Sequence, residues 1–287
     1  MAELQSGTIV DMEVKEKQGS KWILALEGQE VSMNASEAPE DLAEGDTLKV
    51  FLYLDRRGEL SATSAVPDIS LDTYGWAKVI RTSDREGAIV DIGTTKEIQV
   101  APEDLPKIRS IWPENGDCLF MTLRTDKKGE LFGRLVTEEK IQDKLIEAPT
   151  SIFNKNIKAR PYRLLPVGSF LLSVPENYRI FVHNSEMVKE PRLGQEVEVR
   201  VIGVKEDGSI NGSMLPRKQE RISDDAEEIF RYLIDVGGKM PFSDDSTPEE
   251  IKEMFGLSKA AFKRAMGKLI KDGKVTQNEG WTQLNHV

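Results

Sequence analysis

The sequence has one cysteine in 287 residues, Cys118, so an intramolecular disulfide is excluded and a reducing cytoplasm is the expected setting. It has no apolar run near the roughly 18–20 residues that a bilayer-crossing helix needs, so no membrane association is expected. Met1-Ala2-Glu3-Leu4-Gln5-Ser6-Gly7 carries neither a basic nor an apolar leader region and does not read as a signal peptide. The two histidines are His183 and His286, the second at the terminus. No Cys-x-x-Cys, His-Glu-x-x-His or Gly-x-x-x-x-Gly-Lys pattern occurs, which leaves zinc and nucleotide-triphosphate sites without support. No cofactor, metal or catalytic residue is therefore expected, and the chain reads as a non-enzyme. Cys118 lies in a strand pattern and reads as a core residue.

Acidic residues outnumber basic ones, 49 to 39, for a formal net charge of −10. Its distribution is uneven. Residues 1–150 carry 18 Lys and Arg against 29 Asp and Glu, residues 151–221 carry 12 against 8, and residues 222–287 carry 9 against 12. The stretch 258–274 holds six basic residues and one acidic. A polyanion responds to local basic surface, so it should prefer the second half of the chain.

Alternating apolar and polar residues recur in units about 70–80 residues apart. Residues 1–66 run through Gly7-Thr8-Ile9-Val10, Lys21-Trp22-Ile23-Leu24 and Val50-Phe51-Leu52-Tyr53 to the hairpin Asp55-Arg56-Arg57-Gly58. Residues 67–136 repeat this with Gly75-Trp76-Ala77, Gly87-Ala88-Ile89-Val90 and Asp126-Lys127-Lys128-Gly129. Residues 161–216 repeat it with Gly168-Ser169-Phe170-Leu171, Ile180-Phe181-Val182-His183 and Asp207-Gly208-Ser209. Five short strands in about 60 residues, with Gly in tight hairpins, fit a five-stranded OB-type barrel. Residues 137–160 read as a linker: a helix over 138–146 stopped by Pro149, then a basic connector with Lys155, Lys158 and Arg160.

After Pro216 the apolar period changes to that of helices. Asp224 or Asp225 caps a helix with Ile229, Phe230, Leu233 and Ile234 on one face. A second helix opens at Pro248 and carries Ile251, Met254 and Phe255. A third, capped by Ser258, turns Ala261, Phe262, Ala265, Leu269 and Ile270 inward. Residues 274–276 and 281–284 read as a two-stranded wing. The expected architecture is mainly β with α: three OB-fold barrels in tandem, then a winged helix over 222–287.

Gly168-Ser169-Phe170-Leu171, Phe181-Val182-His183-Asn184-Ser185-Glu186 and Leu193-Gly194-Gln195 resemble the RNA-binding repeat first named in ribosomal protein S-one. With the Val50–Asp55 strand and Pro248-Glu249-Glu250-Ile251 and Ser258-Lys259-Ala260-Ala261-Phe262, almost the whole chain resembles the bacterial conserved virulence factor B family (CvfB, also called YitL). That resemblance implies three such repeats, a winged helix, and a role as an RNA-binding regulator of gene expression. It places Phe170, Phe181, His183 and Asp207 at the repeat's RNA face. Val167 stands where a first aromatic would be, Ile89 replaces the aromatic in repeat two, and Gln99-Val100-Ala101 replaces its Val-His. No RNA-face aromatic is placed in repeat one.

An aromatic face can stack an unpaired base while a basic groove holds the phosphates. Phe170, Phe181 and His183 are candidates for stacking, against the alternatives that a phenylalanine fills the core and that His183 braces a turn. Arg163, Arg179, Lys189, Arg192, Arg200 and Lys205 are candidates for phosphate. On the third C-terminal helix Lys259, Lys263, Arg264, Lys268 and Lys271 avoid the apolar stripe and either contact phosphate or form a solvated face. The expected ligand is single-stranded RNA, bound by a monomer mainly through repeat three and the winged helix, with a post-transcriptional effect on genes that include virulence genes. Two rivals stand beside this reading. One is a winged-helix DNA-binding transcription regulator with duplex nucleic acid as partner. The other is an adaptor for the ribosome or a ribonuclease, with a protein partner at repeats one and two.

Overall fold

The computed structural model describes residues 4–142 and 145–285, with the backbone alone for 218–221. Expectations that fall on Met1-Ala2-Glu3, on Asp143-Lys144 of the linker and on His286 lie outside the described residues. The chain divides into two compact units, 1–214 and 215–287.

The first unit holds three closed five-stranded barrels. Barrel one comprises β1 (Ile9–Gln18), β2 (Lys21–Leu26), β3 (Gln29–Asn34), β4 (Thr47–Leu54) and β5 (Leu60–Thr63). Barrel two comprises β6 (Gly75–Ser83), β7 (Gly87–Asp91), β8 (Ile98–Val100), β9 (Cys118–Thr125) and β10 (Leu131–Leu135). A short helix α1 (Glu138–Ile141) follows. Barrel three comprises β11 (Asn156–Leu165), β12 (Gly168–Ser173), β13 (Arg179–His183), β14 (Val197–Val204) and β15 (Ile210–Ser213).

Closure needs a first strand that pairs on both sides and bends between its partners. A bulge supplies the bend at the same place in each barrel: between Val14 and Glu16, between Val79 and Arg81, and between Pro161 and Arg163. Proline has no amide donor and is tolerated at a bulge. Pro161 therefore reads in the sequence as a boundary yet sits inside β11. Residues 156–160, expected as a basic connector, are strand, and Lys158 and Arg160 pair there with Glu196 at 2.7 and 2.9 Å.

The expected linker helix is also shorter than its pattern. It ends at Ile141, which is fully buried. Ile146 instead bridges to Tyr178, and the Ala148 amide donates to the Gly208 carbonyl at 3.0 Å. Pairing with barrel three outweighs an isolated helix of this length, which is marginal in water.

The barrels share core. Phe51 and Tyr53 of barrel one pack in one cluster with Val79, Val90 and Leu119 of barrel two, and Leu193 joins it from barrel three's sequence. Barrels two and three meet by backbone: the Cys118 amide donates to the Gly194 carbonyl and the Leu193 amide to the Ile111 carbonyl, each at 3.0 Å. Cys118, expected in the core, is a half-exposed residue at the start of β9, where this junction passes. Gly194 has φ +80°, and a Cβ there would stand 2.3 Å from the Cys118 carbonyl oxygen. Gly194→Ala is expected to cost about 2–4 kcal/mol, from left-handed backbone strain plus overpacking. Gly19→Ala, with φ +62° but open space around it, should cost only the backbone part. Urea denaturation of the two variants checks the difference; equal losses would remove the packing contribution.

The second unit comprises α2 (Lys218–Asp235), β16 (Lys239–Met240), α3 (Pro248–Phe255), α4 (Lys259–Lys271), β17 (Val275–Asn278) and β18 (Trp281–Leu284). Asp224 and Asp225, of which one was expected as the cap, both lie inside α2, which begins at Lys218. Helix α3 has a capping box: Thr247 Oγ1 accepts from the Glu250 amide at 3.3 Å and Glu250 accepts from the Thr247 amide at 2.7 Å. Gly256, at φ +66°, ends it, and Ser258 caps α4 through the Ala261 amide at 3.2 Å. The wing is three-stranded, not two-stranded, in the order β16-β18-β17. Ile234, Met254 and Ile270, expected inward, are 50%, 45% and 44% exposed. The core is closed instead by Ala226, Met240 and Met266.

Candidate nucleic-acid interface

On β12 and β13 side chains alternate between barrel core and surface. Leu171, Ile180 and Val182 point into the core of barrel three. Their neighbours Phe170 and Phe181 are half-buried and directly opposed across the two strands. The two rings lie 5.0 Å apart at 47°, and His183 meets Phe181 edge-on at 6.4 Å. Neither phenylalanine belongs to the barrel core. Phe170 leans on a separate cluster of Phe120, Val136, Ile141, Tyr162 and Leu172, which ties α1 to barrels two and three. The Arg179 guanidinium lies 4.5 Å from the Phe170 ring centre. An aromatic row of this kind offers π-faces to unstacked bases irrespective of sequence.

His183 serves two places at once. Its Nδ1 accepts from the Ser185 amide at 3.2 Å and contacts Ser185 Oγ at 2.9 Å, capping the short turn 184–186. Asn34 does the same for Ser36 in barrel one. The ring is nonetheless exposed at the end of the aromatic row.

Asp207, placed at the RNA face from the resemblance, forms the turn between β14 and β15. It accepts from the Ser209 hydroxyl at 2.7 Å and the Ser209 amide at 2.9 Å, and these bonds hold its carboxyl below the usual carboxylate range. Asp55 and Asp126 bond their own hairpins likewise. The Asp pattern in all three repeats is therefore fully accounted for by Asx-type turn geometry.

The basic candidates separate by their partners. Arg163 and Arg179 both pair with Glu138 of α1, so phosphate reaches them only in competition with that carboxylate. Lys189 and Lys205 are exposed. Arg200 donates to Ser213 Oγ at 3.2 Å. Arg192, expected at phosphate, is instead committed to the junction of barrels two and three, where it meets Asp117 at 3.0 Å and Glu114 at 3.4 Å. The Asp117 side chain is 8% exposed, so removing Arg192 would leave a buried carboxylate without its partner. Arg192→Ala is expected to lower unfolding stability by about 1–3 kcal/mol and leave RNA affinity of the folded protein unchanged. Chemical denaturation and a binding titration on the same sample check both halves.

On α4 the five basic residues all miss the buried stripe of Phe262, Ala265, Met266 and Leu269. Lys263 lies 3.8 Å from Asp244, and Lys268 lies 2.9 Å from Asp272. Lys259, Arg264 and Lys271 make no ion pair among the described residues, and Arg264 and Lys271 are exposed. A further surface group was not legible from charge or periodicity: Trp281 on β18 is 42% exposed with Lys239 Nζ 4.8 Å from its ring centre. The register between β16 and β18 that brings them near is a tertiary feature.

Comparison with known proteins matches all four domains. A model described as "S1 domain" matches residues 6–65, "CvfB first S1-like domain" 74–134, "Virulence regulatory factor CvfB, second domain" 141–216 and "CvfB-like winged helix domain" 227–284. The first match covers the repeat in which no RNA-face aromatic was placed. Conserved virulence factor B of Staphylococcus haemolyticus is 45% identical over 294 residues, spanning 97% of this chain and 96% of the relative. The protein of that name from Staphylococcus aureus is 44% identical over 291 residues with the same coverage. A crystal structure of a multidomain protein with nucleic acid binding domains from Streptococcus pneumoniae is similar over 98% of both chains, at 35% identity and a TM-score of 0.67.

Proposed function

This chain belongs to the conserved virulence factor B family, and from that premise we propose that it is an RNA-binding regulator of gene expression, acting by binding and not by catalysis. Single-stranded RNA is held on the β12–β13 face of barrel three and, separately, on α4 of the winged helix. Regulation is post-transcriptional, takes place in the cytoplasm, and includes virulence genes. The observation that carries the reading is the outward row Phe170–Phe181–His183, which lies outside the core cluster of barrel three. The solved relative described as having nucleic acid binding domains supports the ligand class.

A second reading rests on Arg264 and Lys271, exposed and unpaired among the described residues, at the helix that a winged-helix protein places in a DNA groove. Titration of the full chain with labelled single-stranded RNA, with duplex DNA as competitor, separates the two. The expected result is RNA binding that duplex DNA displaces poorly. Affinity should fall steeply with salt, with a logarithmic slope of about −0.7 per phosphate neutralised. Preferential binding of the duplex would overturn the RNA reading in favour of a DNA-binding regulator. Absence of binding to either would favour an adaptor.

A further inference from the structure

One row of positions runs across the same face of all three barrels and can be aligned by strand register. In barrel three it reads Arg163, Phe170, Phe181 and Asn211 on β11, β12, β13 and β15. In barrel two the matching row reads Arg81, Ile89, Gln99 and Phe132 on β6, β7, β8 and β10, continuing to Arg124 on β9. In barrel one it reads Glu16, Ile23, Ser32 and Ser61. Barrel two has thus not lost its surface aromatic. Its ring stands on the fifth strand, where a comparison along the second and third strands does not find it.

Phe132 is half-buried, while its strand neighbours Leu131 and Gly133 are buried. It lines a cleft of about 550 Å³ with Ile89, Gln99, Arg81, Lys96 and, from the barrel-one hairpin, Arg56. That volume lies within the roughly 300–1,000 Å³ of small-ligand sites. Gln99 Nε2 donates to the Glu86 carbonyl at 2.7 Å, which holds the amide in place beside the ring. Glu97 and Glu130 also line the cleft, pairing with Arg81 and Lys96. Three cations against two carboxylates leave one positive charge, which matches one phosphodiester. Arg56 is exposed and makes no ion pair among the described residues. The Arg81–Glu97 pair is half exposed on both sides, and such a pair is weak, so a phosphate replaces Glu97 readily.

We propose that this cleft between barrels one and two binds one nucleotide of a single-stranded RNA, its base against Phe132 and its phosphate at Arg56 and Arg81. The ligand class rests on the RNA reading above; the site does not. The acidic balance of residues 1–150 therefore hides a local basic-and-aromatic site built from two barrels, and barrel two is a reader as well as a scaffold.

The test uses the full chain and a labelled single-stranded RNA carrying photoreactive 5-iodouridine. Phe132→Leu should weaken binding roughly fivefold or more with an unchanged melting temperature, and Phe132→Tyr should restore it. Arg56→Ala should reduce the salt slope by about 0.7. Irradiation should attach RNA to the peptide containing Phe132. If Phe132→Leu binds as the parent does, with no attachment at that peptide, while Phe181→Ala is weakened, the cleft is idle and the RNA reading stands. If the parent binds no RNA, the RNA reading itself fails. Adenosine monophosphate alone, added at increasing concentration, is expected to compete only weakly with attachment; saturable binding of it at the cleft without RNA binding would overturn the RNA assignment in favour of a free nucleotide.

Discussion

Replacing Phe170 and Phe181 together by alanine is expected to weaken single-stranded RNA binding by about 2 kcal/mol or more, roughly thirtyfold, with little change in the salt dependence. Each stacked base contributes on the order of 1–3 kcal/mol when its aromatic partner is cut to alanine. The two rings are neighbours, 5.0 Å apart, so their losses will not simply add. Phe170 also supports the cluster around Ile141 and lies under Arg179, so its loss lowers stability as well as affinity. Phe181→Ala alone is the cleaner probe, because Phe181 is absent from the buried clusters and its neighbours in the row are Phe170 and His183. Anisotropy titration at two salt concentrations, with a melting curve for each variant, gives the result. Full affinity in a folded Phe181→Ala protein would remove barrel three from the binding surface.

The largest stability effect is expected at Phe51. Phe51→Ala should cost about 3–5 kcal/mol, a large share of the 5–15 kcal/mol that holds an ordinary domain folded. Phe51 is fully buried on β4 of barrel one, yet most of the side chains in its cluster are those of barrel two. The damage should therefore cross between barrels. Met33, equally buried, packs only in the core of barrel one. Hydrogen exchange should show Phe51→Ala loosening β6 and β9 amides as well as barrel one, whereas Met33→Ala should loosen barrel one first. Exchange confined to β1–β5 in the Phe51 variant would mean that the barrels fold as independent beads.

Much of this architecture was legible in the chain. Three repeats of alternating residues, each with an Asp-led hairpin, imply three small barrels, because a half-buried strand has a side-chain period of two and a tight hairpin needs its turn residues. The winged helix was legible from periodicity, from Pro248 at the start of α3 and from the Ser258 cap of α4, while the Thr247 cap emerged only in the structure. In barrel three the outer placement of Phe170 and Phe181 came from the family resemblance, with a core position left open; the chain alone shows only their alternation with Leu171, Ile180 and Val182. These are local properties, set by backbone geometry and by which face of one element is apolar.

The rest depended on partners distant in sequence. Nothing near Arg192 shows that it meets Asp117, 75 residues away, so it reads as a free phosphate ligand and is a structural ion pair. Pro161 reads as a boundary because proline usually ends a strand; only the pairing of β11 on both sides turns it into a bulge. Glu138 reads as a helix residue, and the fold makes it the counter-charge of Arg163 and Arg179. Phe132 aligns with no aromatic along its own repeat and takes its place beside Gln99 through a parallel pairing of β8 and β10. The sequence by itself determined which elements form and which faces are apolar. The tertiary structure alone decided which charges are spent on each other and which rings are left to solvent, because ion pairs and strand register join residues that the chain keeps far apart.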